Sequence, residues 1–200
     1  SVTDRCNFRC QYCMPEEGIV QKPMEEILSF EQITSIAREA ASLGIRKVRL
    51  TGGEPLARRG VEKLVGMIAA IPGIDELTMT TNGALLTPQK ALELKKAGLQ
   101  RINISLDTLD RHRFVEMTRR DALDEVLAGI DAAIAAGLTP IKLNMVVFEH
   151  TKAGEIEAMR SFCQSKGLRL QTIARYELEK SRESHYASTD RPPRCSECNR

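Results

Sequence analysis

Apolar and polar residues along the chain follow two alternating periods. Ile33, Ile36, Ala37, Ala40 and Leu43 recur at helical spacing, as do Leu123, Val126, Leu127, Ile130 and Ile134, and each set predicts an amphipathic helix with one buried stripe. Val61, Leu64, Val65, Ile68 and Ile71 form a third set, and Ala91, Leu92, Leu94 and Lys95 continue a fourth. Two of these helices have marked starts. Ser29 with Gln32 three residues on reads as a capping box, and Thr87-Pro88 sets a capping hydroxyl before a proline at the first helical position.

A phrase repeats after the helices. Gly44, Gly73, Gly98, Gly137 and Gly167 each precede a short β-prone run: 46–51, 76–81, 101–105, 140–147 and 169–173. Glycine stops a helix readily because it alone takes the left-handed conformation without a steric penalty. With Val2-Thr3 read as the end of a further strand, six strands alternate with helices, and such alternation makes parallel strands joined by right-handed crossovers. Six units fit an open (βα)6 partial barrel of the TIM type, with a doubly wound sheet as the alternative that period alone leaves open. Either architecture gathers ligands at the carboxyl ends of its strands.

Composition adds limits. With 200 residues, 42% hydrophobic and 28% charged, the chain can bury a core of one domain or two. We expect residues 1–175 to form the barrel and 176–200 to begin a second segment. The net charge of +2 says little about partners, and no nucleic-acid partner is expected. No run approaches the roughly 18 apolar residues of a membrane span, and the start lacks a signal-peptide pattern, so no membrane and a cytoplasmic address are expected. Five of the six cysteines fall in two clusters, which favours metal or catalytic uses over disulfides. The first residues read as a strand end and the last cysteines arrive at the final residues, as expected of a segment of a longer chain.

Cys6, Cys10 and Cys13 form a C-x3-C-x2-C run. Thiolates are soft ligands for iron–sulfur clusters, zinc or copper(I). Three thiolates leave one iron of a cubane cluster open, whereas a structural zinc takes four ligands, so a zinc knuckle would need a fourth residue from elsewhere. Thr51-Gly-Gly-Glu-Pro55 closes the next strand, and its paired glycines are expected to let a ligand approach the backbone and meet the Gly53 N–H and C=O. Arg49 and Lys142 lie between apolar neighbours on their strands. Helices cover the outside of a barrel, so these basic side chains are expected in the lumen, together with Thr80, where they suit an anionic ligand. Cys195-Ser-Glu-Cys198 alone reads as a redox pair or half a zinc site. Cys163, on the stripe of Ile156, Met159 and Phe162, is expected in the core.

Residues 1–15 and 51–56 resemble the radical S-adenosylmethionine enzymes, and among them the GTP 3′,8-cyclases of molybdenum cofactor biosynthesis. The resemblance runs to about Cys163 and returns at 195–200. It implies the partial barrel, a [4Fe-4S] cluster on Cys6, Cys10 and Cys13, and S-adenosylmethionine chelating its open iron. It carries Tyr12, Gly53 and Ser105 to cofactor contacts, although Tyr12 reads equally as an aromatic packed under the loop. Arg49, Thr80, Lys142 and Arg200 are carried to GTP, and Cys195 and Cys198 to a second [4Fe-4S] cluster whose third thiol is not in the sequence. A flavodoxin or ferredoxin is the implied reductant. The short stretch before Cys195 and the strand end at 171–176, which lacks the family's usual methionine, depart from the cyclases. A related radical enzyme acting on a peptide or another small molecule is the alternative.

Overall fold

The structure, a computed structural model, describes residues 1–20 and 22–174. Five parallel strands, β1 (Lys47–Leu50), β2 (Glu76–Thr81), β3 (Arg101–Ser105), β4 (Lys142–Val147) and β5 (Arg169–Ala174), lie side by side in the order of the sequence. That order never reverses. A doubly wound sheet reverses at a switch point, so the fold is the open, barrel-type alternative, with a helical connection between each pair of strands. Helices α1 (Phe30–Ser42), α2 (Val61–Ala69), α3 (Pro88–Lys96), α4 (Arg111–Thr118), α5 (Leu123–Ala135) and α6 (Ala153–Ser165) alternate with the strands. The β3–β4 connection alone carries two, α4 and α5.

Capping follows the sequence. The Ser29 hydroxyl accepts from Gln32 N and the Gln32 side chain accepts from Ser29 N, completing the box on α1, while Thr87 caps α3. Asp110 performs the same task for α4, accepting from Arg113 N at 2.8 Å.

Parallel registry puts paired residues on the same face of the sheet. Leu50, Leu77, Met79, Ile102, Ile104, Leu143 and Met145 share the face beneath the helices and are buried. The opposite face carries Arg49, Thr78, Thr80, Arg101, Asn103, Ser105, Lys142 and Asn144. An apolar outer face and a polar lumen were expected, and the registry gives both.

Two expectations are corrected. Among the described residues there are five strands, not six, because Val2-Thr3 runs beside the carboxyl end of β1 rather than along it. Val2 N donates to Thr51 O (2.7 Å), Gly53 N to Thr3 O (2.8 Å) and Glu54 N to Arg5 O (2.7 Å), so the pairing continues onto the loop where β1 has already ended. The stripe on α1 is also rotated. Ile36 is 56% exposed and Leu43 85% exposed, because α1 packs through a narrower face of Phe30, Ile33, Thr34, Ala37 and Ala41. Leu64→Ala, at a fully buried position of α2, should therefore lower unfolding free energy by about 2–5 kcal/mol. Leu43→Ala should stay within about 0.5 kcal/mol, both read by urea denaturation.

Candidate active site at the carboxyl ends of the strands

The cysteine loop is seated on the end of α4. Phe8 is buried edge-on against Phe114 at 5.8 Å, and Arg9 N and Gln11 N donate to the Thr118 and Met117 carbonyls at 3.0 and 2.9 Å. Cys13 N and Met14 N both donate to Cys10 O, folding Cys10–Met14 into a tight turn. Cys6 and Cys10 are half-buried and Cys13 is exposed. Burial raises the Cys10 thiol to about 12, with the Cys6 thiol, Asp107 and the Cys13 thiol adding to it. Burial raises Cys6 too, against the Phe8 N–H that its sulfur accepts.

Three soft donors on one short loop form a site for a cationic centre, which releases protons from the thiols as it binds. The donor set thus fits an iron–sulfur cluster. Among the described residues no three His, Cys, Asp or Glu side chains close around a single metal ion. A cubane holds its thiolates farther apart than one ion does.

The Gly52-Gly53-Glu54 loop locks onto the residues that lead into Cys6. A Cβ on Gly52 would stand 2.7 Å from Thr3 O, and one on Gly53 2.4 Å from Arg5 O. The paired glycines therefore admit the chain's own backbone. Gly53 N is also engaged, by Thr3 O, so of the two Gly53 backbone groups expected to meet cofactor, the carbonyl is the one left over. Glu54 is 1% exposed. Its carboxylate accepts from Thr81 Oγ1 (2.7 Å), Asn82 N (2.7 Å) and Leu56 N (2.9 Å); burial pushes its pKa up and these three bonds pull it back. Asn82 Nδ2 reaches on to Asn7 Oδ1 at 2.8 Å, which ties the end of β2 to the cysteine loop.

Tyr12 turns toward the end of β4. Its hydroxyl donates to Asp107 Oδ2 at 2.6 Å, and Asp107 Oδ1 accepts from Val146 N at 2.8 Å. The ring packs on Phe148 at 5.4 Å, so the packing role and a place at the site coexist. Burial, then the Asp107 carboxylate, holds the phenol protonated, and burial raises Asp107 itself. Cys10, Tyr12, Ser105, Asp107 and Phe114 line one cavity, which brings Ser105 beside the cysteine loop.

Deeper in the lumen, Thr80, Asn103 and Lys142 stand on one rung across β2, β3 and β4. Asn103 is 3% exposed; its Nδ2 donates to Thr80 Oγ1 at 3.4 Å and its Oδ1 has no partner among the described residues. Toward the amino ends, Glu76 is paired with Arg101 and with Lys47 (3.3 Å). Arg49 and Lys142 form no ion pair among the described residues. Cys163 is buried in the core as expected. Cys195, Cys198 and Arg200 lie outside the described residues.

Sequence reasoning missed Asn82, Asn103 and the roles of Glu54 and Asp107. The Asn82-Gly83 pair at a strand end was a legible turn signal, but its partner 75 residues away was not.

The sequence pattern of the Radical SAM superfamily matches residues 1–163. The chain belongs to this superfamily. It is 49% identical over 173 residues to the GTP 3′,8-cyclase of Pelotomaculum thermopropionicum, covering 86% of this chain and 53% of that protein. To the GTP 3′,8-cyclase of Pseudomonas syringae pv. syringae it is 49% identical over 194 residues, covering 95% and 58%. The chain spans about half the length of the curated relatives it matches. Streptococcus suis SuiB shares the fold, with a TM-score of 0.73 at 21% identity over 89% of this chain and 39% of that one. Cluster and S-adenosylmethionine are what this superfamily works with, and the three-thiol loop fits the first.

Because a Cβ on Gly53 meets the Arg5 carbonyl, Gly53→Ala should push residues 3–5 away from the strand end. The expected result is a loss of about 1–3 kcal/mol in stability, read by thermal denaturation, with faster proteolysis between Arg5 and Arg9.

Proposed function

We propose that this chain is the catalytic barrel of a radical S-adenosylmethionine enzyme that cyclises GTP on the route to the molybdenum cofactor. The observation that carries the reading is the lumen face, where Arg49 and Lys142 stand without counter-ions among the described residues, on strands that end beneath a three-thiol loop. Two cations left unpaired on one face favour a polyanionic ligand such as a triphosphate, whose oxygens can take charge-assisted hydrogen bonds from both. The near 50% identity to named cyclases supports the choice of GTP.

In this reading Cys6, Cys10 and Cys13 hold a [4Fe-4S] cluster. When bound and reduced, that cluster supplies the electron that cleaves S-adenosylmethionine to a 5′-deoxyadenosyl radical. Gly53 O and Ser105 orient the cofactor at the carboxyl ends of the strands, and Tyr12, held by Asp107, fixes the loop's position against β4. Thr80, Lys142 and Arg49 bind the phosphates and keep the nucleotide in the lumen. Asn103 Oδ1 supplies an acceptor between them. Arg200 contributes to the same ligand, and Cys195 and Cys198 supply two thiols of a second cluster. A flavodoxin or ferredoxin delivers the electron, and the enzyme works in the cytoplasm. Among the described residues no helix is long and apolar enough to cross a membrane.

Anaerobic reconstitution tests this in two stages. Cys10→Ser should abolish formation of 5′-deoxyadenosine, and a variant with full cleavage would sink the cluster assignment. Arg49→Ala should weaken GTP binding by about 1–3 kcal/mol, the range of charge-assisted hydrogen bonds, in calorimetry on the full-length protein. Absence of GTP binding by the unmutated protein would move the reading to a related radical enzyme with a peptide or another small substrate. Iron analysis completes the set: about eight irons per full-length chain, falling to about four in Cys195→Ser.

A further inference from the structure

Helix α4 ends in an unusual way. Gly44, Gly98, Gly137 and Gly167, after α1, α3, α5 and α6, all have positive φ, but after α4 the left-handed residue is Arg119, at φ 55°. Among the described residues it is the one non-glycine with positive φ. A side chain in this conformation is strained, and such strain persists where the surroundings hold it and is concentrated at functional sites.

What holds it is the cysteine loop. Arg119 Nη1 donates to Arg9 O at 2.9 Å and to Met14 O at 3.4 Å, the carbonyls immediately before Cys10 and immediately after Cys13. Its Nε lies 4.0 Å from Glu16 Oε2. The preceding residues of the same helix end act on the same backbone, since Thr118 O and Met117 O accept from Arg9 N and Gln11 N. The guanidinium thus joins the two sides of the Cys10–Cys13 turn. It also sets positive charge at the carboxyl end of α4, where the helix dipole would otherwise face a thiolate-bearing loop with its negative pole.

We propose that Arg119 is a positioning residue for the cluster loop: by bridging the Arg9 and Met14 carbonyls it fixes the separation of the Cys10 and Cys13 thiols and slows the loss of iron. This rests on the reading that Cys6, Cys10 and Cys13 carry the cluster. A lysine keeps the charge, but its ammonium ends an unbranched stem without the planar guanidinium that holds one nitrogen between the two carbonyls, so it restores the bridge only in part. Glycine removes the bridge while fitting the left-handed backbone better than arginine does. Glycine therefore separates a clamp from a helix cap.

The test uses anaerobically reconstituted full-length protein, with Arg119→Gly and Arg119→Lys alongside the unmutated chain. Bleaching of the cluster absorbance under excess ferrous chelator gives the rate of iron loss, and thermal denaturation of the metal-free proteins reports the fold. Arg119→Gly should melt at or above the unmutated protein yet lose iron about tenfold faster, the equivalent of one charge-assisted hydrogen bond. Arg119→Lys should fall between the two. Iron loss at the unmutated rate in Arg119→Gly would overturn the clamp, as would faster loss accompanied by a lower melting temperature, which would make Arg119 a structural cap only. If the unmutated protein assembles no four-iron cluster, the functional reading falls and takes the clamp with it; a stable cluster indifferent to Arg119 sinks the clamp alone.

Discussion

The arrangement of the site depends on a buried carboxylate. Glu54 sits where three segments meet, and taking its charge out of water is tolerated only because three donors converge on it. One donor belongs to the turn after Glu54 itself and two to the end of β2, so the same anion that tightens the glycine loop also anchors the neighbouring strand. Asn82 then passes that anchorage to Asn7, one residue beyond the first thiol. Removing the carboxylate would leave buried N–H and O–H groups facing each other, which is a larger loss than any one bond.

The charges of the lumen face are only partly compensated. Glu76 lies between Arg101 and Lys47, and its single carboxylate offsets one of their two positive charges. Arg49, level with Arg101, and Lys142, level with Asn103, have no such partner among the described residues, and Asn103 adds an unmatched acceptor. Asn103 Oδ1 is the costly group on this face, since a buried acceptor without a donor loses its hydration uncompensated.

Much of this was legible in the sequence because it is local. Helix starts at Ser29 and Thr87 depend on residues three apart, and the strands at 46–51, 76–81, 101–105, 140–147 and 169–173 are each announced by an adjacent glycine. The lumen position of Arg49 and Lys142 followed from alternation once helices were taken to cover the outside of the sheet. The rest depends on distant partners. Whether Ile36 and Leu43 were buried turned on what lay opposite α1, and periodicity records only that they share a side. The glycine pair suggested the approach of a ligand, but it is the chain's own backbone that comes close, because Thr3–Arg5 returns to the sheet there. Asp107 and Arg119 gain their roles from residues more than ninety positions away.

The cysteine loop is fastened on both flanks of an incompletely closed sheet. On one flank residues 2–5 run along the end of β1; on the other, residues 9–12 hold to the helix that follows β3 and, through Asp107, to β4. The loop is therefore a strap across the mouth of the crevice. Flattening or spreading the strands at that end would stretch one fastening or the other, so the spacing of the thiols and the curvature of the sheet are a single mechanical variable.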